Sequence, residues 1–320
     1  MSERGNENRG KYVVRIEGGG VRKLDGAVKE ALGISWGKAR DLVTRGKIRV
    51  NGEVVTEGTR NVRDGAELEV VMHAPRPNRT KIETDSIVYI DPHIVVVVKP
   101  SGISTVAFDE SETDTFDVRV RRMLEAKERG GQNRGGRSPL GVVHRIDKET
   151  SGLLVFARTW LAKQSLSQQF RAHTVHRRYF AIVQGHARGG TIESHLVPNR
   201  GDGLRGSIER QKRPIPLAQG QRAVTHIDVE EELEGATLVS CHLETGRTHQ
   251  IRVHLSESGH PVLGERVYIR HFEGELIPAP RVMLHAAELG LVHPATNRQM
   301  QWEEPLPPDF EETLGRLRKD

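Results

Sequence analysis

Apolar residues in the N-terminal part of the chain recur first at helical and then at strand spacing. Leu24, Val28 and Leu32 fall on one face of a helix that Gly33 would end. Ser35 stands where an N-cap belongs, ahead of a second short apolar face made by Ala39, Leu42 and Val43. The run Lys47 to Val55 then alternates on both sides of Asn51-Gly52, which predicts a hairpin with a two-residue turn. A further strand is expected over Glu67 to Met72, after a turn at Arg63-Asp64-Gly65. Two short helices and a small sheet over residues 13–72 amount to a small N-terminal domain. His73 to Arg79, with two prolines and no periodicity, reads as a linker, which is extended to residues 73–84.

Beyond it, residues 85–320 are dominated by strand-like runs: Ile87 to Ile90, Ile94 to Lys99, Gly152 to Ala157, Tyr179 to Val183, Val224 to Val229 and Thr237 to Leu243. Helical patterning is weaker, at Leu161 to His173 and Thr248 to Ser258. Runs of strands with few inserted helices predict an α+β body on an antiparallel or mixed sheet. Two stretches read as loops, the Gly- and Arg-rich Lys127 to Pro139 and the mixed Pro198 to Arg222.

Charge and composition narrow the function. The net charge of +5 is uneven: residues 1–82 hold 17 Lys and Arg against 11 Asp and Glu, leaving 31 against 32 for the rest. The basic excess therefore sits in the N-terminal part, as expected of a module that docks on a phosphate backbone. The longest apolar run, Ile94 to Val98, is far short of the roughly 20 residues a membrane helix needs, so no membrane association is expected. Met1 to Arg9 lacks the apolar stretch of a signal peptide. A single cysteine, Cys241, excludes an internal disulfide and a cysteine-rich zinc site, which fits a cytoplasmic protein; its alternating surroundings suggest a half-buried strand.

Several familiar chemistries are missing. There is no Gly-rich phosphate loop, no dinucleotide fingerprint and no complete kinase catalytic loop around His144-Arg145-Ile146-Asp147. The 15 histidines lack metal-ligand spacing; His249 and His254, five apart, do not share a helix face, and structural histidines are the default. What remains is three segments. One is Asp91-Pro92-His93 with the apolar run ending Lys99-Pro100-Ser101-Gly102. The second is His144 to Phe156, where Asp147 precedes a Gly-gated apolar strand. The third is Leu243-Glu244-Thr245-Gly246-Arg247-Thr248-His249-Gln250-Ile251-Arg252-Val253-His254-Leu255, running on to Gly264. Thr248 is placed to cap a helix with Ile251 and Leu255 on its apolar face. Arg247, just ahead of it, is placed to face a carboxylate and offset the cost of burying its charge.

These runs, together with Met283-Leu284-His285-Ala286 and Val292-His293-Pro294, resemble the RluA-type pseudouridine synthases in the family's own order over residues 85–303. The N-terminal pattern, with Arg45-Gly46-Lys47-Ile48-Arg49-Val50-Asn51-Gly52, resembles the alpha-L RNA-binding domain first known from a small-subunit ribosomal protein. The resemblance implies an enzyme that turns uridine in RNA into pseudouridine, with neither metal nor organic cofactor. It implies large-subunit ribosomal RNA ahead of transfer RNA as substrate, and no obligate protein partner is evident.

Asp147 matches the family's catalytic aspartate, Tyr179 the tyrosine that packs on the target base, and Arg247 is matched to the arginine that pairs with the aspartate. Arg145 is implied as a substrate contact, and Arg40, Arg45, Lys47 and Arg49 are the RNA-binding candidates of the N-terminal domain. Arg177 stands where the family usually has lysine, and Ile146 where leucine is commoner. The uracil anion is delocalised, so one carboxylate can suffice where a hydrolytic glycosidase needs two; nucleophile and base are both open to Asp147.

Overall fold

The structure is a computed structural model that describes residues 11–15, 21–55, 58, 60–63, 65–71, 86–110, 112–129, 139–210, 215–269 and 272–318. Contacts divide the chain into two units, residues 1–81 and 82–320. The expected linker at residues 73–84 lies outside the described residues.

In the first unit, β1 (Lys11–Arg15) and β2 (Val21–Lys23) precede α1 (Leu24–Leu32) and α2 (Trp36–Thr44). Then come β3 (Ile48–Val50), β4 (Glu53–Val54), β5 (Asn61–Arg63) and β6 (Glu67–Val71). α1 ends at Gly33 in the left-handed conformation, and the Ser35 hydroxyl accepts the Lys38 amide at the start of α2. Asn51 and Gly52 both have positive φ, 51° and 83°, as the tight turn between β3 and β4 requires. The sheet runs β1-β6-β3-β4, with β2 and β5 as a separate ribbon. Leu24, Val28, Ala39, Val43, Ile48 and Leu68 form its core. β1, β2 and β5 lay outside the expected elements, because strands of three to five residues give too little alternation to read.

The second unit begins with β7 (Ile87–Ile90), β8 (Ile94–Lys99), α3 (Phe116–Arg129), β9 (Gly141–Val142), β10 (Ser151–Ala157) and α4 (Trp160–Arg171). It continues through β11 (His176–Gln184), β12 (Gly190–Val197), β13 (Gly206–Ser207), β14 (Gln221–Leu233), β15 (Ala236–Leu243) and α5 (Gln250–Glu257). β16 (Leu284–Val292), β17 (Gln299–Glu303) and α6 (Pro308–Leu317) complete it. The sheet order is β13-β12-β14-β15-β11-β16-β10-β8-β7, with β17 on β16 and β9 on β10. All described pairings are antiparallel except β10 with β16, so the sheet is mixed and the fold is α+β.

Helices cover both faces at its middle, which is why β8 and β10 are apolar at nearly every position. Val95, Val97, Leu154 and Phe156 pack in one cluster with Phe116 of α3, Ile251 of α5 and Phe310 of α6. Their alternates Ile94, Val96, Leu153 and Val155 pack in another with Leu166 of α4. The expected loop at Lys127 to Pro139 is entered from the end of α3, and its residues 130–138 lie outside the described ones. Pro198 to Arg222 contains β13 and two short 3-10 turns. Cys241, expected on a half-buried strand, is fully buried on β15; burial pushes its thiol up to about 12, which makes it inert.

Candidate active site

Asp147 lies on the loop entering β10, and that loop is held almost entirely through its backbone. His144 stacks on Phe170 at 4.3 Å, and its Nε2 accepts the Val155 amide. Burial brings its pKa down to about 3, so the ring is a neutral prop with its proton on Nδ1. The Thr105 hydroxyl donates to the Ile146 carbonyl at 2.8 Å. Fully buried Lys99 donates from Nζ to the carbonyls of Pro100, Ile103 and Lys148, and the Ser101 hydroxyl donates to Glu149 O. The Lys99-Pro100-Ser101-Gly102 run is therefore the clamp of the Asp147 loop, and burial lowers the Lys99 pKa to about 7. Gly152, at φ 113°, sits so tightly on β16 that a Cβ would lie 2.2 Å from Ala286 O.

The ion partner of Asp147 is Arg252, with Nη1 3.7 Å from Oδ2. Arg247, matched to this role from sequence, does not fill it: its Nε donates to Arg222 O at 3.0 Å. The helix phase explains the difference. Thr248 is not the cap; α5 begins at Gln250, with His249 at the N-cap in a left-handed conformation, φ 59°. Every residue from Gln250 to Ser256 is buried, so Arg252 points inward between Ile251 and Val253. It is fixed by buried Glu265, which accepts from Arg252 Nε and Nη2 at 2.6 and 2.8 Å. Glu265 also accepts the amides of Arg266 and Val267. Burial raises its pKa, but the guanidinium and the amides outweigh that and leave it lowered.

On the other side of the carboxylate, His249 Nε2 is 3.9 Å from Asp147 Oδ1, and its Nδ1 is 2.6 Å from the Tyr268 hydroxyl. Burial lowers the His249 pKa, against the opposing pull of Asp147. Glu265, Tyr268, His249 and Lys99 escaped the sequence reading as site residues. The available signal was adjacency: Glu265 directly follows the Gly264 that ends the third segment, and Gly264 is itself locked by a φ of 78° against Arg281 O.

Asp147 lines a cleft of about 530 Å³. Tyr179 and Arg177 are on its wall because β11 alternates: they share the buried face, whereas Arg178 points away and pairs with Glu230 and Glu288. A β-bulge between Arg178 and Tyr179 falls at this point of the β11 and β16 pairing, a common device for re-aiming a side chain beside a site. Burial, first, and Asp147 raise the Tyr179 pKa, so it is a neutral phenol at physiological pH. Arg145 is exposed on the cleft, and Arg247 lines it.

In the first unit, Arg40 is on α2 with Nε bonded to Asp25, Arg45 pairs with Asp41, and Arg49 on β3 is 3.9 Å from Glu69; Lys47 precedes β3. Among the described residues no group of three side chains could hold a metal ion. His254 bonds Ser194 and Thr225, His285 bonds Ser151, and His293 bonds Asp91, all as structural histidines.

The family described as RNA pseudouridylate synthase matches residues 93–257. Ribosomal large subunit pseudouridine synthase D of Zymomonas mobilis is 38% identical over 251 residues, covering 76% of each chain. The protein of the same name from Pseudomonas aeruginosa is 38% identical over 245 residues, covering 73% of this chain and 72% of its own. Among solved structures, human RNA Pseudouridylate Synthase Domain Containing 4 superposes with a TM-score of 0.55 at 27% identity, over 73% of this chain and 93% of its own. The chain belongs to the RNA pseudouridylate synthase family.

Proposed function

We propose that this enzyme isomerises specific uridines of large-subunit ribosomal RNA to pseudouridine in the cytoplasm, with Asp147 as the catalytic carboxylate. The observation that carries the reading is that Asp147 is the one carboxylate among the described residues lining the cleft, set between Arg252 and His249 and sharing the cleft with Tyr179. A target base inside a stem has to be flipped out, at a cost of a few kcal/mol that backbone contacts supply. Asp147 then acts at the ribose C1′ as nucleophile or base while the C1′–N1 bond breaks. The uracil turns and rejoins C1′ through C5, and the C5 proton leaves as N1 regains one. Tyr179, a neutral phenol in an apolar wall, packs on the base and keeps it from escaping; proton transfer at C5 is open to it.

Arg145 contacts the flipped nucleotide's surroundings. The first unit serves as an alpha-L RNA-binding domain, with Arg40, Arg45 and Arg49 exchanging internal carboxylates for phosphates and Lys47 adding a further cation. The relatives' names support ribosomal RNA over transfer RNA. The test is to incubate the protein with large-subunit ribosomal and transfer RNA transcripts and map pseudouridine chemically. Asp147→Asn should abolish product while leaving RNA binding intact; undiminished product from that variant would overturn the assignment.

A further inference from the structure

We propose that Arg177, with Arg247 and His173, forms an anion subsite in the cleft that takes a backbone phosphodiester next to the flipped uridine. The proposal rests on the RNA-isomerising reading above. Arg177 is only 8% exposed, yet no carboxylate pairs with it among the described residues. Its Nη2 reaches the carbonyls of Leu243 and Glu244 at long range, 3.4 and 3.5 Å, its Nε is buried without a partner, and its guanidinium lies over the Phe170 ring. Arg49 and Arg178 also have an unbonded Nε, and Arg200 an unbonded Nη2, but each has a carboxylate for a counter-ion. A buried charge with no counter-ion is costly, and the fold tolerates it where a ligand brings the missing charge.

The charge on the cleft lining is mostly cationic. Four arginines, Arg145, Arg171, Arg177 and Arg247, line the cleft against the single carboxylate of Asp147, which Arg252 and His249 already flank. Burial, Arg177, Arg247 and Arg222 lower the His173 pKa, against the opposing pull of Glu244, a carboxylate already paired with Arg222 and His226. His173 closes the turn after α4 in a left-handed conformation, φ 58°, which puts a donor on the cleft wall at the expense of backbone strain. Gly246 leaves the space: a Cβ there would lie 2.6 Å from Arg177 Nη1. Since Arg177 and Tyr179 share the cleft face of β11, a phosphate on the first and a base on the second fit one nucleotide and its own linkage.

The experiment compares binding of the trinucleotide ApUpA with that of its analogue carrying neutral methylphosphonate linkages, using the full-length protein, with inorganic phosphate as a separate ligand. The wild type should prefer the charged trinucleotide by about tenfold or more, as one charge-assisted hydrogen bond implies. Arg177→Gln and Arg247→Gln should bring the ratio towards one, Arg177→Lys should keep most of it, and Arg318→Gln, in an exposed pair with Glu231, should leave it unchanged. An equal ratio in wild type and both glutamine variants overturns the subsite, as does a ratio of one in the wild type. Inorganic phosphate binding as tightly as ApUpA assigns the site to free phosphate and overturns it too. Should Arg177→Gln fail to fold, Arg247→Gln and Arg177→Lys decide. A preserved ratio alongside no pseudouridine in any transcript would reject the isomerase reading and leave the subsite standing.

Discussion

Replacing Arg252 by Met tests the architecture around Asp147 most directly, because stability and activity should part company. Arg252 and Glu265 are both buried and joined at 2.6 and 2.8 Å, so truncation leaves a buried carboxylate without its cation. Breaking such a pair costs about 3–5 kcal/mol. The amides of Arg266 and Val267 still serve Glu265, which places the expected loss near 3 kcal/mol, at the lower end of that range. The sign of the pH dependence follows from the lowered Glu265 pKa: its stabilisation is present above the ordinary value of 4.5 and lost as pH falls through the folded value. The gap between wild type and variant, measured by urea unfolding, should therefore be widest at neutral pH and close on acidification.

Adding Glu265→Gln should recover most of the stability, since no buried charge is then left unpaired. Activity should not return. Arg252 lies 3.7 Å from Asp147, worth about 4 kcal/mol of Coulomb energy at an effective dielectric of 20, enough for a roughly 100- to 1000-fold loss in kcat/KM. If the double variant recovers activity along with stability, Arg252 is scaffolding and its pairing with Asp147 carries no function.

Two further outcomes follow from buried groups. His144, His254 and His285 have pKa values lowered by burial to about 3, 4 and 4 from 6.5, so below pH 6.5 the unfolded chain takes up protons that the folded one refuses. Stability should be full above that pH and fall by roughly 4 kcal/mol per pH unit once all three differ, in chemical denaturation at stepped pH; a flat profile from neutrality to pH 5 would refute it. Gly152→Ala forces a Cβ to 2.2 Å from Ala286 O at a φ of 113°, and should cost on the order of 3 kcal/mol in unfolding and displace the Asp147 loop. An active variant with wild-type stability would show that the parallel β10 and β16 contact yields more easily than the geometry implies.

How far the sequence could be read depends on what kind of signal each residue gives. The Asp147 segment and the apolar strands carried theirs in residue order and in unbroken apolar runs: β8 and β10 fall within a residue of their expected bounds, and the Asn51-Gly52 turn was fixed by the φ angles those two residues tolerate. α3, α6 and β16 escaped because their patterns are diluted: α3 carries Arg and Lys between its core positions, α6 mixes Asp, Glu and Gly with its apolar residues, and His285, Glu288 and Gly290 interrupt the apolar run of β16. The partner of Asp147 was misassigned for a sharper reason. Choosing Arg247 assumed that the helix starts at Thr248, but the left-handed His249 delays it to Gln250 and turns Arg252 inward. Which of two arginines five residues apart meets a carboxylate is decided by one backbone dihedral, and periodicity does not encode that angle.

That same dihedral ties the site into one device. A left-handed His249 needs something to hold it, and the Tyr268 hydroxyl at 2.6 Å does so while Tyr268 also lies under the Arg252 guanidinium. Tyr268 follows Glu265 in the turn whose amides fix that carboxylate, and Gly264 docks the start of the turn on Arg281 O. One short segment after α5 therefore sets the position of both groups that face Asp147, while Lys99 at the end of β8 and Ser101 just beyond it set the position of Asp147 itself. The two halves of the constellation come from distant parts of the chain, around Ser101 and around Gly264, and the sheet brings them together where β10 runs parallel to β16. Strain at His249, a buried ion pair and an ammonium buried among carbonyls are each costly alone. Their concentration around a single carboxylate is what a site selected for chemistry, and not for stability, would accumulate.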